Sequence, residues 1–465
     1  ASGLFSAFQL ASLLEYRNES GDILSFAELG LIDGFSPEYA EALAFFVSLR
    51  SSSPPGGRQR LDFRNELTVK ASARLMAYGV RYEAALGERA ELRWTSRTTY
   101  SEPQFGLGTI SAVYYGRGSL GKVVAGNFNA RFGQGLVMWS GFSMSGYGSA
   151  ASFCRKAGGL SVTGAAGAEL FGIGADWRIG TYRFSAAVTP DGKGTVVNIS
   201  RDWRRVSAGV TAGLEAASVD WRLAFSGGSF FGEAACSYRG QVSALAGTQW
   251  IPQYGFKLSL LARWYEIQSR QYSGIALGAD TPSWLVSADS GLRRDKGSWQ
   301  HKLLCVYRPS FSFGALLLEP SLRLSGRLRP SDKSPLRCDV RLEVKARLGG
   351  IILEWRYNAL WCKDFAWLSY LGGGFDGEKF DMRLRGGVFK IDNWDDRIYA
   401  YEHDAPGSFN VPAYYGRGWN ASLYLAWHIN KAHSIWLRAS MMAYPWNPEP
   451  KEGRGELKLQ YRLNL

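Results

Sequence analysis

No run of about 18 to 20 apolar residues occurs anywhere in the chain, which excludes a membrane-spanning helix and leaves only strands as a way across a bilayer. Cysteine is sparse: Cys154, Cys236, Cys305, Cys338 and Cys362 are odd in number, far apart, and form no C-x-x-C pair, so neither a disulfide framework nor a zinc site is expected. The four histidines, His301, His403, His428 and His433, are scattered and give no His-based metal or catalytic cluster. There is no G-x-S-x-G elbow, P-loop or H-E-x-x-H, so nucleophilic, phosphate-cradling and zinc-protease chemistry have no residues to stand on. No cofactor and no enzymatic activity are expected. The chain starts with Ala and has no basic, apolar and small-residue leader, so a signal peptide or a longer N-terminal segment is expected ahead of Ala1.

What is present is 55 glycines, 17 tryptophans, 23 tyrosines and a net charge of +13 in 465 residues. That is material for a large ordered structure, not for disorder.

The chain divides at one place. Residues 1–49 read as helical: "SAFQ" at Ser6 and "SFAE" at Ser25 fit the capping-box pattern, and Ser36 followed by Pro37 marks a further helix start. The stretch "RSSSPPGGRQR", residues 50–60, can continue neither helix nor strand and reads as a linker.

From Leu61 the period becomes two. In "LDFRNELTVKASARL" the positions Leu61, Phe63, Leu67, Val69, Ala71, Ala73 and Leu75 are apolar, and Asp62, Arg64, Glu66, Lys70 and Arg74 between them are charged. The same alternation recurs in "DVRLEVKARL", "KFDMRLR" and the terminal "ELKLQYRLNL". It marks strands with one apolar and one strongly polar face. Turn signals every 15 to 20 residues or so predict about 22 to 26 strands over residues 61–465. A soluble double sheet would hide its apolar faces in a core, whereas a membrane barrel turns them to lipid. The mixed-charge face Arg341, Glu343, Lys345 and Arg347, the wealth of Trp and Tyr suited to two membrane interfaces, and a last strand able to close the ring favour a large antiparallel transmembrane β-barrel.

Three segments carry a resemblance: "GNFNARFGQGLVMWSGF" (Gly126 to Phe142), "RNELTVKASARL" and "DDRIYAYEHDAPGSFNVPAYYGRG" (Asp395 to Gly418). They look like recurring segments of a family of Bacteroidota outer-membrane β-barrel proteins with N-terminal helix-hairpin-helix repeats. The N-terminal "LASLLEYRNESGDILSFAELGLIDGFSPEYAEALAFFVSL" is similar to the last of those repeats. The resemblance implies an exported protein in the outer membrane of a diderm bacterium, and it implies no settled activity; the charge asymmetry and the short linker place residues 1–49 in the periplasm or inside the barrel.

Candidate functional residues are few. The segment Phe132, Gly133, Gln134, Gly135, Trp139 and Gly141 is the barrel motif of the resemblance, and its glycines read as a bend or a close backbone approach before they read as a ligand cradle. "GFSMSGYGS" from Gly141 reads as a loop. The acidic stretch "DNWDDRIYAYEHD" offers Asp392, Asp395 and Asp396 as calcium ligands, although EF-hand spacing is missing, and pairing with Arg397 or a basic lumen is the competing account.

The helix-hairpin-helix turn, Gly34, Ser36, Pro37, Glu38 and Glu41, raises the question of DNA. In phosphate-gripping copies the turn and the following helix N-terminus offer N–H groups beside Lys or Arg. Here Glu38 and Glu41 stand where cations would help, and residues 1–50 hold seven acids against two bases, net −5, leaving +18 on residues 51–465. Phosphate binding draws on cation contacts that this Lys-free unit lacks, which argues against nucleic acid. The asymmetry points instead to docking on the barrel as a plug, or to another protein in the outer membrane or periplasm. The basic barrel itself suits membrane lipid and the phosphates of lipopolysaccharide at its rim, or anionic solutes in its lumen. Three classes follow: a scaffold subunit of an outer-membrane assembly as the leading expectation, a transport channel for anionic solutes or macromolecules as the alternative, and DNA uptake as the third.

Overall fold

Twenty-four antiparallel strands close into one ring among the described residues. The computed structural model describes residues 61–464, apart from 73–74, 88, 117, 142–149, 164–169, 254, 268–270 and 409, together with residues 26–43 and a few residues on either side of those. The linker 50–60, the cap positions Ser6 and Ser25, and most of the "GFSMSGYGS" stretch lie outside the described residues, as do the side chains of Pro37 and Glu38.

Each strand pairs with its neighbour in sequence, and the ring closes where Leu61–Ser72 pairs with Arg454–Asn464, in a register that sets Glu66 opposite Arg462 and Leu67 opposite Tyr461. Two staves are interrupted: Gly159–Val162 and Leu170–Ile179 continue one line, as do Ser298–Tyr307 and Phe311–Phe313. The count falls inside the expected 22 to 26 because the period-two alternation survives in most strands.

In Leu336–Leu348 the outward Leu336, Leu342 and Leu348 are exposed, while Arg337, Arg341 and Glu343 point inward. Outward Leu67, Ile173, Ile275, Leu303, Leu371 and Leu384 repeat the pattern around the ring. Such a continuous apolar belt far exceeds the few hundred Å² that a soluble monomer leaves bare, and it fits a bilayer. Aromatics crowd both borders. Trp177, Tyr182, Trp250, Trp284 and Trp427 lie near the end where turns are short, and Trp264, Trp299, Trp361 and Phe365 near the other; Trp284 stacks on Tyr307 at 4.2 Å and Trp361 meets Phe365 at 4.9 Å. The strand Ile351–Trp361 joins the borders in 11 residues. At about 3.4 Å per residue and a tilt near 40°, that is roughly 26 Å of height, the thickness of the apolar band of a membrane barrel.

The two ends differ. Tight turns such as 87–89, 180–181 and 349–350 close the end that holds Leu61 and Asn464. Long connections, 98–108, 132–158, 392–415 and 444–453, leave from the other. The described residues of two of these, 132–141 with 150–158 and 392–408 with 410–415, turn inward.

Ahead of the ring, Phe26–Leu29 and Pro37–Leu43 are helices, joined by a turn with Gly34 at φ +89°. Ser36 caps the second helix as expected: its Oγ accepts from the Tyr39 amide at 3.1 Å and its carbonyl accepts from the Ala40 amide. Tyr16, Ile23, Leu29, Ile32, Phe35, Ala40 and Leu43 form a small apolar core of their own. Gln9, Ser12, Leu13 and Tyr16 are also helical, so the described residues show two short helices and isolated helical positions where a complete helical domain is expected.

Candidate lumen site

The barrel interior is where charged side chains gather, and two inward connections shape it. The first begins at the motif Phe132–Gly141. Gly133 (φ +55°) and Gly135 (φ +84°) adopt left-handed backbone, and a Cβ on Gly133 would stand 2.8 Å from Glu233 Oε2. The glycines therefore permit a bend and a close approach, and what approaches is a carboxylate from a strand six places along the ring. Glu233, almost fully buried on Gly228–Ser237, accepts from the Gln134 amide at 2.6 Å and the Leu136 amide at 3.2 Å. Gln134 also clasps the far side of the same connection, accepting from the Arg155 amide at 2.9 Å and donating to the Arg155 carbonyl at 3.1 Å. Trp139 lies between the guanidinium groups of Arg131 and Arg155, 5.7 and 5.1 Å from its ring centre, and Gly141 packs on Asn129 and Arg131. Further on, Phe153 and Cys154 pack with Phe231, Leu245, Leu261 and Ala276, which fixes the connection against four consecutive strands. Nothing near Phe132 in sequence points to Glu233, which lies about a hundred residues away.

The second connection forms a hairpin, in which Ile398–Tyr399 pairs with Ala413–Tyr414 and Glu402 with Asn410. It lies along the inner wall, held by inward cations from successive strands. Arg337 donates to the carbonyls of Asp395 (2.8 Å) and Arg397 (3.1 Å), Arg356 to that of Tyr399 (3.3 Å), and Arg385 to that of Tyr401 (2.5 Å). Near the tip, Lys458 donates to Asp404 (2.8 Å) and Ser408 (2.5 Å), while Arg438 sits among Glu402, Asp404 and Glu456. Gln460 and Arg97 reach the carbonyls of Pro406 and Gly407.

In this arrangement the three carboxylates considered as calcium ligands have separate protein contacts. Asp392 pairs with Arg417 (2.6 and 2.9 Å), Asp395 with Lys363 (2.8 Å), and buried Asp396 accepts from the amides of Lys363 and Asp364, both at 2.9 Å. Asp392 and Asp395 are each neutralised by a cation and Asp396 is satisfied by backbone amides, and no group of three His, Cys, Asp or Glu among the described residues converges on a point. Arg397 takes none of them; it stacks on Trp394 at 4.7 Å and donates to the Tyr399 hydroxyl at 2.7 Å.

The remaining wall is unevenly neutralised. Glu354 pairs with Arg385 at 2.8 Å, Glu319 with Arg347 at 3.4 Å, and Glu343 lies 3.9 Å from Arg356, so part of the expected cross-strand pairing is present. Strand register also sets like charges side by side: Lys302 faces Arg327, Arg327 faces Arg337, and Arg323 faces Arg341. Nε of Arg323 and Nε of Arg327 are buried without a hydrogen-bond partner, and neither residue enters an ion pair among the described residues. Like charges opposite one another weaken a sheet. A barrel that needed only rigidity would not keep them.

At the short-turn end the helical unit touches the barrel through its acids. Asp33 meets Lys257 at 2.5 Å, and Glu41 lies 3.2 Å from Arg204 and 3.8 Å from Arg205. Lys156, on the first inward connection, stands 4.2 Å above the Tyr16 ring, so the unit reaches into the barrel mouth.

No family model matches the chain, and no curated protein matches it. Among solved structures it is similar to OpdL of Pseudomonas aeruginosa (10% identity, TM-score 0.37, 87% of this chain and 97% of that one) and OccK7 (OpdD) of the same organism (10%, 0.37, 88% and 99%). It is also similar to OccAB4 of Acinetobacter baumannii (8%, 0.34, 88% and 99%). At scores of this size the likeness adds nothing to the topology traced from the strand pairs.

Proposed function

We propose that this chain is a non-enzymatic outer-membrane channel for anionic solutes. The observation that carries the reading is the cluster Lys302, Arg323, Arg327 and Arg341, set inward with too few carboxylates to neutralise it. A lumen with surplus fixed positive charge raises the local concentration of anions and lowers their entry barrier. A scaffold, the leading expectation from the sequence, has no use for such a surplus, and DNA gripping by Gly34, Ser36, Glu38 and Glu41 is disfavoured because Asp33 and Glu41 already neutralise barrel cations. The short-turn end faces the periplasm in this reading, as short turns do in barrels of this class.

A second element belongs to the proposal: the two short helices are a helix-hairpin-helix unit serving as a plug at the periplasmic mouth, supported by the contacts of Asp33, Glu41 and Tyr16. The test is single-channel recording of the refolded chain in a planar bilayer. Discrete conductance steps are expected, larger or more frequent when residues 1–50 are deleted; a folded barrel that stays silent in both forms refutes the channel.

A further inference from the structure

The inward hairpin carries a row of aromatic faces that nothing in the channel proposal uses. Along its first strand the burial alternates: Ile398, Ala400 and Glu402 are buried, whereas Tyr399 and Tyr401 are 47% and 43% exposed. Trp394, 53% exposed, and partly exposed His403 extend the row at either end. The rings are held in place: Arg397 stacks on Trp394 and binds the Tyr399 hydroxyl, and His403 sits edge-on to Tyr401 at 5.5 Å. The carbonyls beneath Tyr399 and Tyr401 are pinned by Arg356 and Arg385.

This row runs beside the unneutralised cations. Arg337, which holds the hairpin at Asp395 and Arg397, faces Arg327 across the strand pair, and Arg341, which faces Arg323, donates to Asn358 at 3.2 Å, a residue that Arg356 also holds. Rings and guanidinium groups thus line one sector of the lumen wall.

The geometry points to a binding track for acidic oligosaccharides, chains of sugars bearing carboxylates. Aromatic faces stack on the apolar faces of pyranose rings, and guanidinium forks take carboxylates two bonds at a time. A small inorganic anion would use the cations and leave the rings idle. A single-stranded nucleic acid would use both, yet it brings a phosphate at every unit into a sector that also holds Glu354, Glu343 and Asp376. Sugar hydroxyls, by contrast, donate to those carboxylates and accept from the arginines. The inference rests on the lumen being a solute path, and it names the solute.

Calorimetry on the full-length chain in detergent, which needs no current, tests it with tetragalacturonate, neutral maltotetraose and an oligothymidylate of equal charge. Tetragalacturonate is expected to bind at least tenfold tighter than either of the others. Y399A/Y401A should lose at least tenfold in affinity and Y399F/Y401F less than threefold, which separates ring stacking from damage to the hairpin. R323Q/R327Q should bring the acidic and neutral sugars within threefold of each other. Equal binding of maltotetraose, tighter binding of oligothymidylate, absence of saccharide binding, or indifference to the tyrosine substitutions overturns the track. A barrel that binds tetragalacturonate without conducting keeps the track and refutes the channel; one that conducts and ignores the sugar does the opposite.

Discussion

Replacing Glu233 with alanine should free the Phe132–Gly141 segment from the barrel wall. The Glu233 carboxylate accepts from two backbone amides, those of Gln134 and Leu136, and almost no water reaches it. A hydrogen bond to a charged acceptor contributes about 1.5 to 3 kcal/mol, so losing both costs roughly 3 to 6 kcal/mol of local stability. The barrel strand itself should not suffer, since Asp220 lies directly across from Glu233 and their repulsion is relieved by the same substitution. With every 1.4 kcal/mol worth a factor of ten, amide hydrogen exchange at Gln134 and Leu136 should accelerate at least about a hundredfold. Exchange at Phe231 and Ala235 should stay within about threefold of the parent. E233Q keeps a carbonyl oxygen at the same place and should fall between. Exchange at Gln134 and Leu136 that rises less than about threefold in E233A would refute the reasoning: the apolar contacts of Phe153 and Cys154 would then hold the connection by themselves.

Other expectations follow from the same geometry. R438M leaves Glu402, Asp404 and Glu456 together with only Lys458 to neutralise them, and a buried charge cluster stripped of one partner typically costs about 3 to 5 kcal/mol. Its urea midpoint in detergent should drop markedly, and trypsin should cut the 392–415 segment sooner. E41K and D33K should each release the helical unit only slightly, by about 1 kcal/mol or less, since these pairs face solvent. The difference from the parent in closure frequency should vanish near 1 M salt, where screening falls to about 3 Å. At the outer end of the hairpin, Arg417 holds the Asp392 carboxyl below its usual value and Lys363 does the same for Asp395, through hydrogen bonds first and charge second. A depressed carboxylate pKa stabilises above the unfolded value and is lost as pH falls through the folded one. Protection in residues 392–396, taken as exchange relative to the intrinsic rate at each pH, should therefore be flat from pH 7 to about 5 and fall only below about pH 4; a fall already at pH 6 would contradict the assignment.

How much of this could be read beforehand differs element by element. The barrel was legible because membrane strands write their two faces into the sequence: Leu61, Phe63 and Leu67 against Arg64 and Glu66, or Val340 and Leu342 against Arg341 and Glu343. The bend at Gly133 and Gly135 was legible as a bend, and Ser36 as a cap, since both are local. The partner of the bend was not, because Glu233 carries no mark that separates it from any other lumen acid. The acidic stretch after Asp392 invited a metal reading for the same reason: its neutralising groups, Arg417, Lys363 and the amides at 363 and 364, and the cations that hold the hairpin, Arg337, Arg356, Arg385, Arg438 and Lys458, come from separate strands. Only the closed ring brings them to one wall. The like-charged pairs Arg323–Arg341 and Lys302–Arg327 depend on register, which a shift of one residue would erase.

The most direct test of the central claim is the reversal potential of the reconstituted channel under a tenfold potassium chloride gradient. The account predicts a potential of the sign that chloride permeation sets, short of the ~59 mV of perfect selectivity, and moved toward zero in R323Q/R327Q. A potential of the opposite sign, or one that the double substitution leaves in place, would contradict it.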